Sequence, residues 1–304
     1  YMLEAFVRAG IPVLGIDPAE GPVREARKKG VDTIQDFFGE RLACKLVDEE
    51  RRADVFLANN VLAHVADTNG FVAGIRRALA EDGIAVLEFP YLHDMVRRLA
   101  FDTIYHQHLL YLSASTAASI FERNGLFLND AERTAIHGGS LRVTASKRPG
   151  QTPRLKSLLD NEERLGVNSV AFLNGFSSQI MELRDHVRRA FEDFRRHGQT
   201  VVGYGAAAKA TTLLSAFGLT STDISYIADK SAWKQGLAMP VSGIPIVPPR
   251  RLRADRPNVV MILAWNFARE IISENADFIE AGGRFVVPVP ELREVSRENA
   301  GISL

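Results

Sequence analysis

The sequence of 304 residues is long enough for two domains of ordinary size. It carries 37 Lys and Arg against 37 Asp and Glu, and this balance argues against a nucleic-acid-binding protein. The single cysteine, Cys44, excludes an internal disulfide framework or a thiolate zinc cage within this chain and suits the reducing cytoplasm. The longest apolar run, residues 259–265, is far shorter than the roughly 20 residues of a membrane helix, so no membrane span is expected.

The first 90 residues alternate predicted helices with predicted strands. We expect helices over residues 1–9, 22–29, 40–50 and 69–80, and strands over residues 11–16, 32–34, 54–58 and 84–89. Pro22 suits a first helical position, and Asp82-Gly83 is typical of a turn. Strands that alternate with helices indicate a parallel α/β sheet.

This order of elements corresponds to a doubly wound sheet that begins at its first helix and lacks its first strand. Residues 200–229 contain the complete unit, which is a strand, a Gly203-x-Gly205 turn, a helix to about Phe217 and a strand ending in Asp229. Residues 1–17 match the second half of that unit. We therefore expect the first strand of the first sheet, and the glycine loop that follows it, to be missing from this sequence.

The second half of the chain predicts another sheet of the same kind. A strand over residues 140–146 is followed by a break at residues 149–152. Apolar residues then recur at helical spacing as far as His197; they are Phe176, Ile180, Leu183, Val187, Ala190, Phe191 and Phe194. Further strands are expected over residues 259–263 and 284–288. The sequence thus predicts two Rossmann-like domains, residues 1–150 and residues 151–304, with a helical segment opening the second.

Polar residues follow three predicted strands of the first sheet. In an open parallel sheet, ligands bind beyond the carboxyl ends of the strands. Asp17 is placed to bind ribose hydroxyls, while Asp36 could accept from an adenine amine with Phe37 against the ring. With Asn59 and Asn60, these residues favour an adenosine ligand. The alternative is that they cap helices and turns, as Asp and Asn commonly do.

A dense group of polar side chains occupies residues 101–108. Tyr105, His106, Gln107 and His108 are consecutive, and an extended backbone would send alternate side chains to opposite sides. Tyr105 and His108 can therefore meet only if the backbone turns. Two other interpretations are histidines on a surface loop and a His-x-His zinc pair, for which His93 and His137 would be further ligands.

Six blocks of sequence, in this order and spacing, resemble the S-adenosylmethionine-dependent C-methyltransferases of nucleotide-linked deoxysugars. They are residues 13–18, 59–65, 88–90, 101–108, 137–142 and 203–209. The resemblance implies a domain for the methyl donor, a C-terminal domain that helps to hold a dTDP-linked 4-keto sugar, and methylation at sugar C3. It also implies an N-terminal domain with a four-cysteine zinc site; that domain lies outside this sequence, so no metal is expected within the chain.

The implied reaction explains why these residue types are needed. Removing a proton from the carbon beside a ketone requires a base at the proton and a donor at the oxygen that becomes an enolate. By resemblance, His64, Tyr105, Gln107 and His108 fall at active-site positions. His108 suits the base because histidine is mostly neutral at pH 7, and Tyr105 and His64 suit the donors. The family usually has Glu where this chain has Gln107, and a carboxamide cannot act as a base, so proton abstraction is assigned to His108.

Residues around the second sheet are candidates for holding the nucleotide of the substrate. The turn Gly203-Tyr204-Gly205 followed by Lys209 is typical of an anion-binding helix start, with the lysine available for a diphosphate. The expected substrate-binding residues are Gly203, Tyr204, Gly205, Lys209, Asp229, Lys234 and Ser140. A glycine turn that opens a strand explains Ser140 equally well.

Two alternative functions remain at this stage. A nicotinamide-dependent oxidoreductase would use the Gly203 loop and Asp229 for a dinucleotide. A nucleotide-sugar-binding homologue without activity would be consistent with Gln107. The sequence does not indicate the oligomeric state.

Overall fold

The computed structural model describes residues 2–298, so Tyr1 of the predicted first helix and residues 299–304 lie outside the described residues. The helices are α1 Met2–Arg8, α2 Glu20–Lys28, α3 Glu40–Asp48, α4 Thr68–Ala78, α5 Leu92–Arg97, α6 Ala114–Arg123, α7 Pro153–Leu165, α8 Phe176–Arg196, α9 Ala208–Phe217, α10 Arg250–Asp255, α11 Ala268–Glu274 and α12 Ala276–Glu280. The strands are β1 Gly15–Ile16, β2 Thr33–Ile34, β3 Ala53–Asn59, β4 Leu79–Pro90, β5 Phe127–Thr134, β6 Ser140–Ser146, β7 Val201–Tyr204, β8 Ile227–Ala228, β9 Ile246–Val247, β10 Val259–Ile262, β11 Arg284–Val287 and β12 Arg293–Val295.

Most predicted elements are present, with three local differences. The predicted strand over residues 11–16 is only Gly15–Ile16. Pro22 is the third residue of α2 rather than its first, a position where the backbone N–H would also lack an intrahelical acceptor. The predicted turn at Asp82-Gly83 is wrong: both residues lie inside β4, where the pairing with β3 shifts register and the extra residues are accommodated in an irregularity of the strand.

The chain forms two compact units. The first contains Tyr1–Phe89, Leu112–Arg133 and Leu141–Arg164, and the second contains Pro90–Tyr111, Thr134–Ser140 and Leu165–Leu304. The chain therefore passes between the units several times, whereas the prediction divided it once, at residue 150. As a result, residues 101–108 belong to the same unit as the second predicted sheet.

The first unit contains two sheets. β1 and β2 pair in parallel, and a separate sheet has the order β3-β4-β6-β5, with β3 parallel to β4. Aromatic packing joins the segment after β2 to the second of these sheets, since the ring of Phe38 lies 4.8 Å from that of Phe56 and 5.4 Å from that of Phe71. Phe71 is on α4, which packs against α3.

The second unit contains a six-stranded sheet of order β12-β11-β10-β7-β8-β9. Its strands are parallel except β12, which is antiparallel to β11. The chain runs from β7 to β8 and β9 on one side, then returns to β10 and β11 on the other, so a topological switch point lies between β7 and β10. The predicted α/β class with parallel strands is confirmed.

The core of the second unit includes the apolar face of α8. Leu183, Val187, Phe191 and Phe194 are buried there, as their helical spacing predicts. Phe176, Ile180 and Ala190 pack partly buried against the same core. The ring of Phe101 lies 5.5 Å from that of Phe217, so the segment 101–103 is packed onto α9.

Candidate active site

Residues 101–108 form two consecutive turns that bring Tyr105 and His108 together. Phe101–Thr103 is a single 3-10 turn, closed by the Thr103 hydroxyl, which donates to the Ala100 carbonyl at 2.7 Å. The backbone N–H of His108 donates to the Tyr105 carbonyl at 2.9 Å. This second turn places the Tyr105 hydroxyl 3.1 Å from Nε2 of His108. The backbone thus makes the turn that a meeting of these two side chains requires.

The hydrogen bonds of His108 define which ring nitrogen carries the proton. Nδ1 lies 2.8 Å from the Thr103 carbonyl, which can only accept, so Nδ1 is the donor. In the neutral ring Nε2 is then the acceptor, and the Tyr105 hydroxyl donates to it. Tyr111 donates its hydroxyl to the His108 carbonyl at 3.3 Å. The arrangement presents a basic nitrogen next to a phenol.

The neighbouring side chains differ in exposure. Tyr105 and His108 are half-buried, whereas His106 and Gln107 are exposed. Burial raises the pKa of the Tyr105 phenol, and the negative charge of Asp102 raises it further. Tyr105 therefore remains protonated at neutral pH and is a hydrogen-bond donor rather than a base.

Behind this turn, the buried side chains of Asp102 and Trp265 form a cluster with the half-buried side chain of Lys209. Nε1 of Trp265 donates to Oδ2 of Asp102 at 2.7 Å, and Nζ of Lys209 lies 3.9 Å from the centroid of the Trp265 ring. Burial raises the pKa of Asp102 and lowers that of Lys209 to about 8, while the attraction between the two groups opposes both shifts. Asp102 was not among the predicted catalytic or binding residues, although it lies within the block 101–108, whereas Trp265 was predicted to lie at the rim of the second sheet.

This cluster lies beside the switch point of the six-stranded sheet. Lys209 is in the first turn of α9, which follows β7, and Trp265 begins the 3-10 turn that follows β10. Between them, Gly205 has φ +91°, and a Cβ there would lie 2.6 Å from the Cβ of Ala264. Glycine is needed at this position because two backbone segments approach closely.

Hydrogen bonds to Asp229 and Lys234 stabilise the turn between β7 and α9. Asp229 accepts from the N–H of Ala206 and from that of Ser231, both at 2.7 Å. Nζ of Lys234 donates to the Ala206 carbonyl at 2.8 Å and lies 3.8 Å from the Asp229 carboxylate. The structure thus brings Asp229 and Lys234 to the turn, while the Lys209 amine lies over Trp265.

Three other predicted substrate residues are buried. Gly203 lies inside β7, where a Cβ would be 2.7 Å from the side chain of Ile227, and Tyr204 on the same strand is 4% exposed. The Ser140 hydroxyl is buried and donates to the Ile136 carbonyl at 3.0 Å. Contact between Ser140 and a substrate would require that hydrogen bond to be replaced.

In the first unit, the predicted donor-binding residues follow their strands as expected. β1 and β2 pair in parallel, so Asp17 and Asp36 follow the carboxyl ends of neighbouring strands. Asp17 accepts from the Ala19 N–H at 2.8 Å; Asp36 pairs with Arg41, which lowers the pKa of that carboxyl. The Phe37 ring is 77% exposed and offers an open face.

The remaining predicted residues of the first unit lie after β3. Nδ2 of Asn59 is 3.7 Å from the sulfur of Met2 on α1. Asn60 has φ +54°, and its N–H donates to the Glu88 carbonyl at 2.7 Å, which fixes the end of β3 against β4. His64 is exposed and ends the 3-10 turn Leu62–His64.

The described residues contain neither a cluster of metal ligands nor a helix that could span a membrane. Across residues 2–298, no three His, Cys, Asp or Glu side chains are grouped so that they could hold a metal ion. His93 instead lies 3.2 Å from Asp94 through Nδ1, and the His137 ring packs on Phe267. No helix in the described part of the chain has the length and apolar character to cross a membrane.

Comparison with known proteins identifies the class of enzyme. Residues 1–129 match the model of a methyltransferase domain, and residues 135–290 match that of a C-methyltransferase C-terminal domain. The chain belongs to the C-methyltransferase family. One relative is the C-methyltransferase NovU of Streptomyces niveus, which is 34% identical over 300 residues, covering 98% of this chain and 71% of that protein. The predicted methyltransferase activity and its S-adenosylmethionine cofactor are thereby confirmed.

Solved structures match about half of the chain. The PH0226 protein of Pyrococcus horikoshii OT3 is 16% identical with a TM-score of 0.40, over 48% of this chain and 76% of that one. The 1,6-didemethyltoxoflavin-N1-methyltransferase of Burkholderia thailandensis, solved with S-adenosylhomocysteine bound, is 18% identical with a TM-score of 0.34, over 47% of this chain and 64% of that one.

Proposed function

We propose that the enzyme transfers a methyl group to the carbon beside the ketone, C3, of a dTDP-linked 4-keto deoxysugar. The observation that carries this proposal is the tautomer of His108. With its Nδ1 proton donated to the Thr103 carbonyl, the ring has its basic Nε2 directed at the Tyr105 hydroxyl. A base and a donor side by side are what formation of an enolate from a ketone requires.

The proposed reaction has two steps. The C3–H bond of the sugar breaks, its proton passes to Nε2 of His108, and the bonding electrons form the enolate. Tyr105 turns its hydroxyl from Nε2 to the developing oxyanion, a role that its raised pKa favours because the phenol keeps its proton. The enolate carbon would then form a bond to the methyl group that S-adenosylmethionine supplies when bound. The methyl–sulfur bond would break, leaving S-adenosylhomocysteine, and the sugar would return to its ketone form. We assign the second donor, and contact with the sugar, to His64 and Gln107.

We assign the binding site of the methyl donor to residues 1–150 and that of the substrate's nucleotide to the C-terminal domain within residues 151–304. The residues after β1 and β2 fit an adenosine: carboxylates accept from hydroxyl groups, and the exposed Phe37 ring can stack on a flat heterocycle. We place Asp17, Asp36, Phe37, Asn59 and Asn60 at this site. The nucleotide is assigned to the switch point of the second sheet, where such ligands bind in open α/β sheets.

Mass spectrometry tests this proposal directly. The enzyme is incubated with S-adenosylmethionine and a dTDP-4-keto-6-deoxysugar, and the products are examined for S-adenosylhomocysteine and a methylated sugar. His108→Asn is expected to abolish transfer because its side chain lacks a basic nitrogen. Absence of both products with the unaltered enzyme would refute the assigned substrate.

Gln107→Glu separates a slow enzyme from an inactive binding protein. The exposed position of Gln107 allows this substitution without burying a charge. If the unaltered protein binds the nucleotide sugar without turnover and the variant does the same, the protein is a nucleotide-sugar-binding homologue. If the variant accelerates transfer, Gln107 limits the rate.

A further inference from the structure

Trp265 connects three segments of the second unit. Its indole N–H donates to Asp102 in the 3-10 turn Phe101–Thr103, and its ring receives the Lys209 amine from α9. A Cβ on Gly138 would lie 2.5 Å from the edge of the same ring, so the loop before β6 also closes on it. The indole is therefore fixed in place, and it fixes the Asp102 carboxyl in turn.

The carboxyl group of Asp102 is fully buried, yet one of its two oxygens has no hydrogen-bond donor among the described residues. It is 0% exposed, only Oδ2 is bonded to Trp265, and no group within residues 2–298 makes a hydrogen bond to Oδ1. A buried carboxylate is costly unless a cation or further donors compensate it. The nearby cation Lys209 lowers the pKa of Asp102 and so opposes the effect of burial. In the same way, the charge of Asp102 raises the pKa of Lys209 against the effect of burial. Neither group exchanges a proton with the sugar in the reaction proposed above.

The position of Asp102 in the chain connects this cluster to the base. The next residue is Thr103, whose carbonyl accepts both from Nδ1 of His108 at 2.8 Å and from the Tyr105 N–H at 3.1 Å. A change in the turn at Asp102 would rotate this carbonyl. It would then no longer hold the proton on Nδ1, and Nε2 would lose its role as acceptor.

We propose that Asp102, Trp265 and Lys209 are positioning residues that hold the Thr103 carbonyl against His108 and so keep Nε2 unprotonated. Lys209 thereby acts on the base through Asp102, rather than as a diphosphate ligand. The catalytic consequence rests on the proposed function, whereas the effect on the His108 tautomer does not. The two can therefore fail separately.

The test compares Asp102→Asn, Lys209→Met and the double variant in the whole enzyme. Each single variant leaves one of the two charges without the opposite charge nearby, while the double variant leaves neither charge. We expect each single change to lower kcat for methyl transfer by about tenfold or more, and the double variant to lose clearly less than the product of the two losses. Lys209→Arg, which keeps the charge, should retain more activity than Lys209→Met. Lys230→Met removes a solvent-exposed pair with Glu274 and serves as the control.

The second measurement needs no substrate. The ring ¹⁵N chemical shifts of His108, assigned with His108→Asn, report which nitrogen is protonated. The unaltered enzyme should show a protonated Nδ1, and Lys209→Met should move His108 toward the other tautomer while Lys230→Met does not. Multiplicative losses in kcat together with an unchanged tautomer in all variants would overturn the proposal. A shifted tautomer without methyl transfer by the unaltered enzyme would instead support the cluster and reject the assigned substrate.

Discussion

Replacing Gly138 by Ala tests the packing around Trp265. The new Cβ would lie 2.5 Å from the indole edge, whereas carbon atoms pack at about 3.5–4.0 Å, so the ring must move by about 1 Å. Such a movement stretches the 2.7 Å hydrogen bond to Asp102 beyond a useful length. Losing a hydrogen bond to a buried carboxyl costs about 1.5–3 kcal/mol, and an alanine at φ +92° costs about 1–2 kcal/mol more. We therefore expect a total loss of about 2.5–5 kcal/mol in the free energy of unfolding.

Gly282 provides a matched control in the same unit. It has the same φ of +92°, but a Cβ there meets nothing within 4 Å. Gly282→Ala should therefore cost only the backbone part, about 1–2 kcal/mol. Urea unfolding of both variants, followed by circular dichroism, measures the difference. Equal losses for Gly138→Ala and Gly282→Ala would refute the steric reasoning and, with it, the fixed position of Trp265.

Three further predictions concern stability and catalysis. Asp130 pairs with Arg154, which lowers its pKa from 3.8 to about 2; its stabilising effect is thus full above pH 3.8 and lost as the pH falls through about 2. Asp130→Asn should cost about 1 kcal/mol at pH 7, a value reduced for the exposure of Arg154, and urea titrations should show this cost shrinking between pH 3.8 and about 2. Glu162→Ala should cost about 2–4 kcal/mol in the same assay, because two backbone N–H groups that begin α6 lose their acceptor; a loss below about 1 kcal/mol would contradict this role. Tyr105→Phe should lower kcat by about 10²-fold with little change in thermal unfolding, and an unchanged kcat would exclude the phenol as donor.

Periodicity predicted much of the fold because it reports burial along one element. The spacing of Leu183, Val187, Phe191 and Phe194 predicted α8 and its buried face. The strand β6 was predicted at its observed bounds, Ser140–Ser146. The Asp82-Gly83 pair misled because its turn propensity is local, whereas the structure accommodates both residues in an irregularity of β4, between Leu79 and Ile84, which pair with β3.

The residue types at the candidate site could be predicted from the sequence, but the contacts between their side chains could not. Tyr105 and His108 were identified by residue type, and their contact depended on a turn that the pattern itself did not specify. The hydrogen bond between Asp102 and Trp265 joins positions 163 residues apart, so no local spacing could indicate it. For the same reason the position of the Lys209 amine over the Trp265 ring could not be predicted.

Solvent-deuterium exchange tests the role of His108 most directly. The enzyme is incubated in D₂O with the dTDP-4-keto-6-deoxysugar but without methyl donor, and deuterium at sugar C3 is measured by NMR and mass spectrometry. Our account predicts exchange at C3 with the unaltered enzyme and its loss in His108→Asn, because Nε2 of that ring removes the proton. Exchange at an undiminished rate in His108→Asn would contradict the assignment of the base.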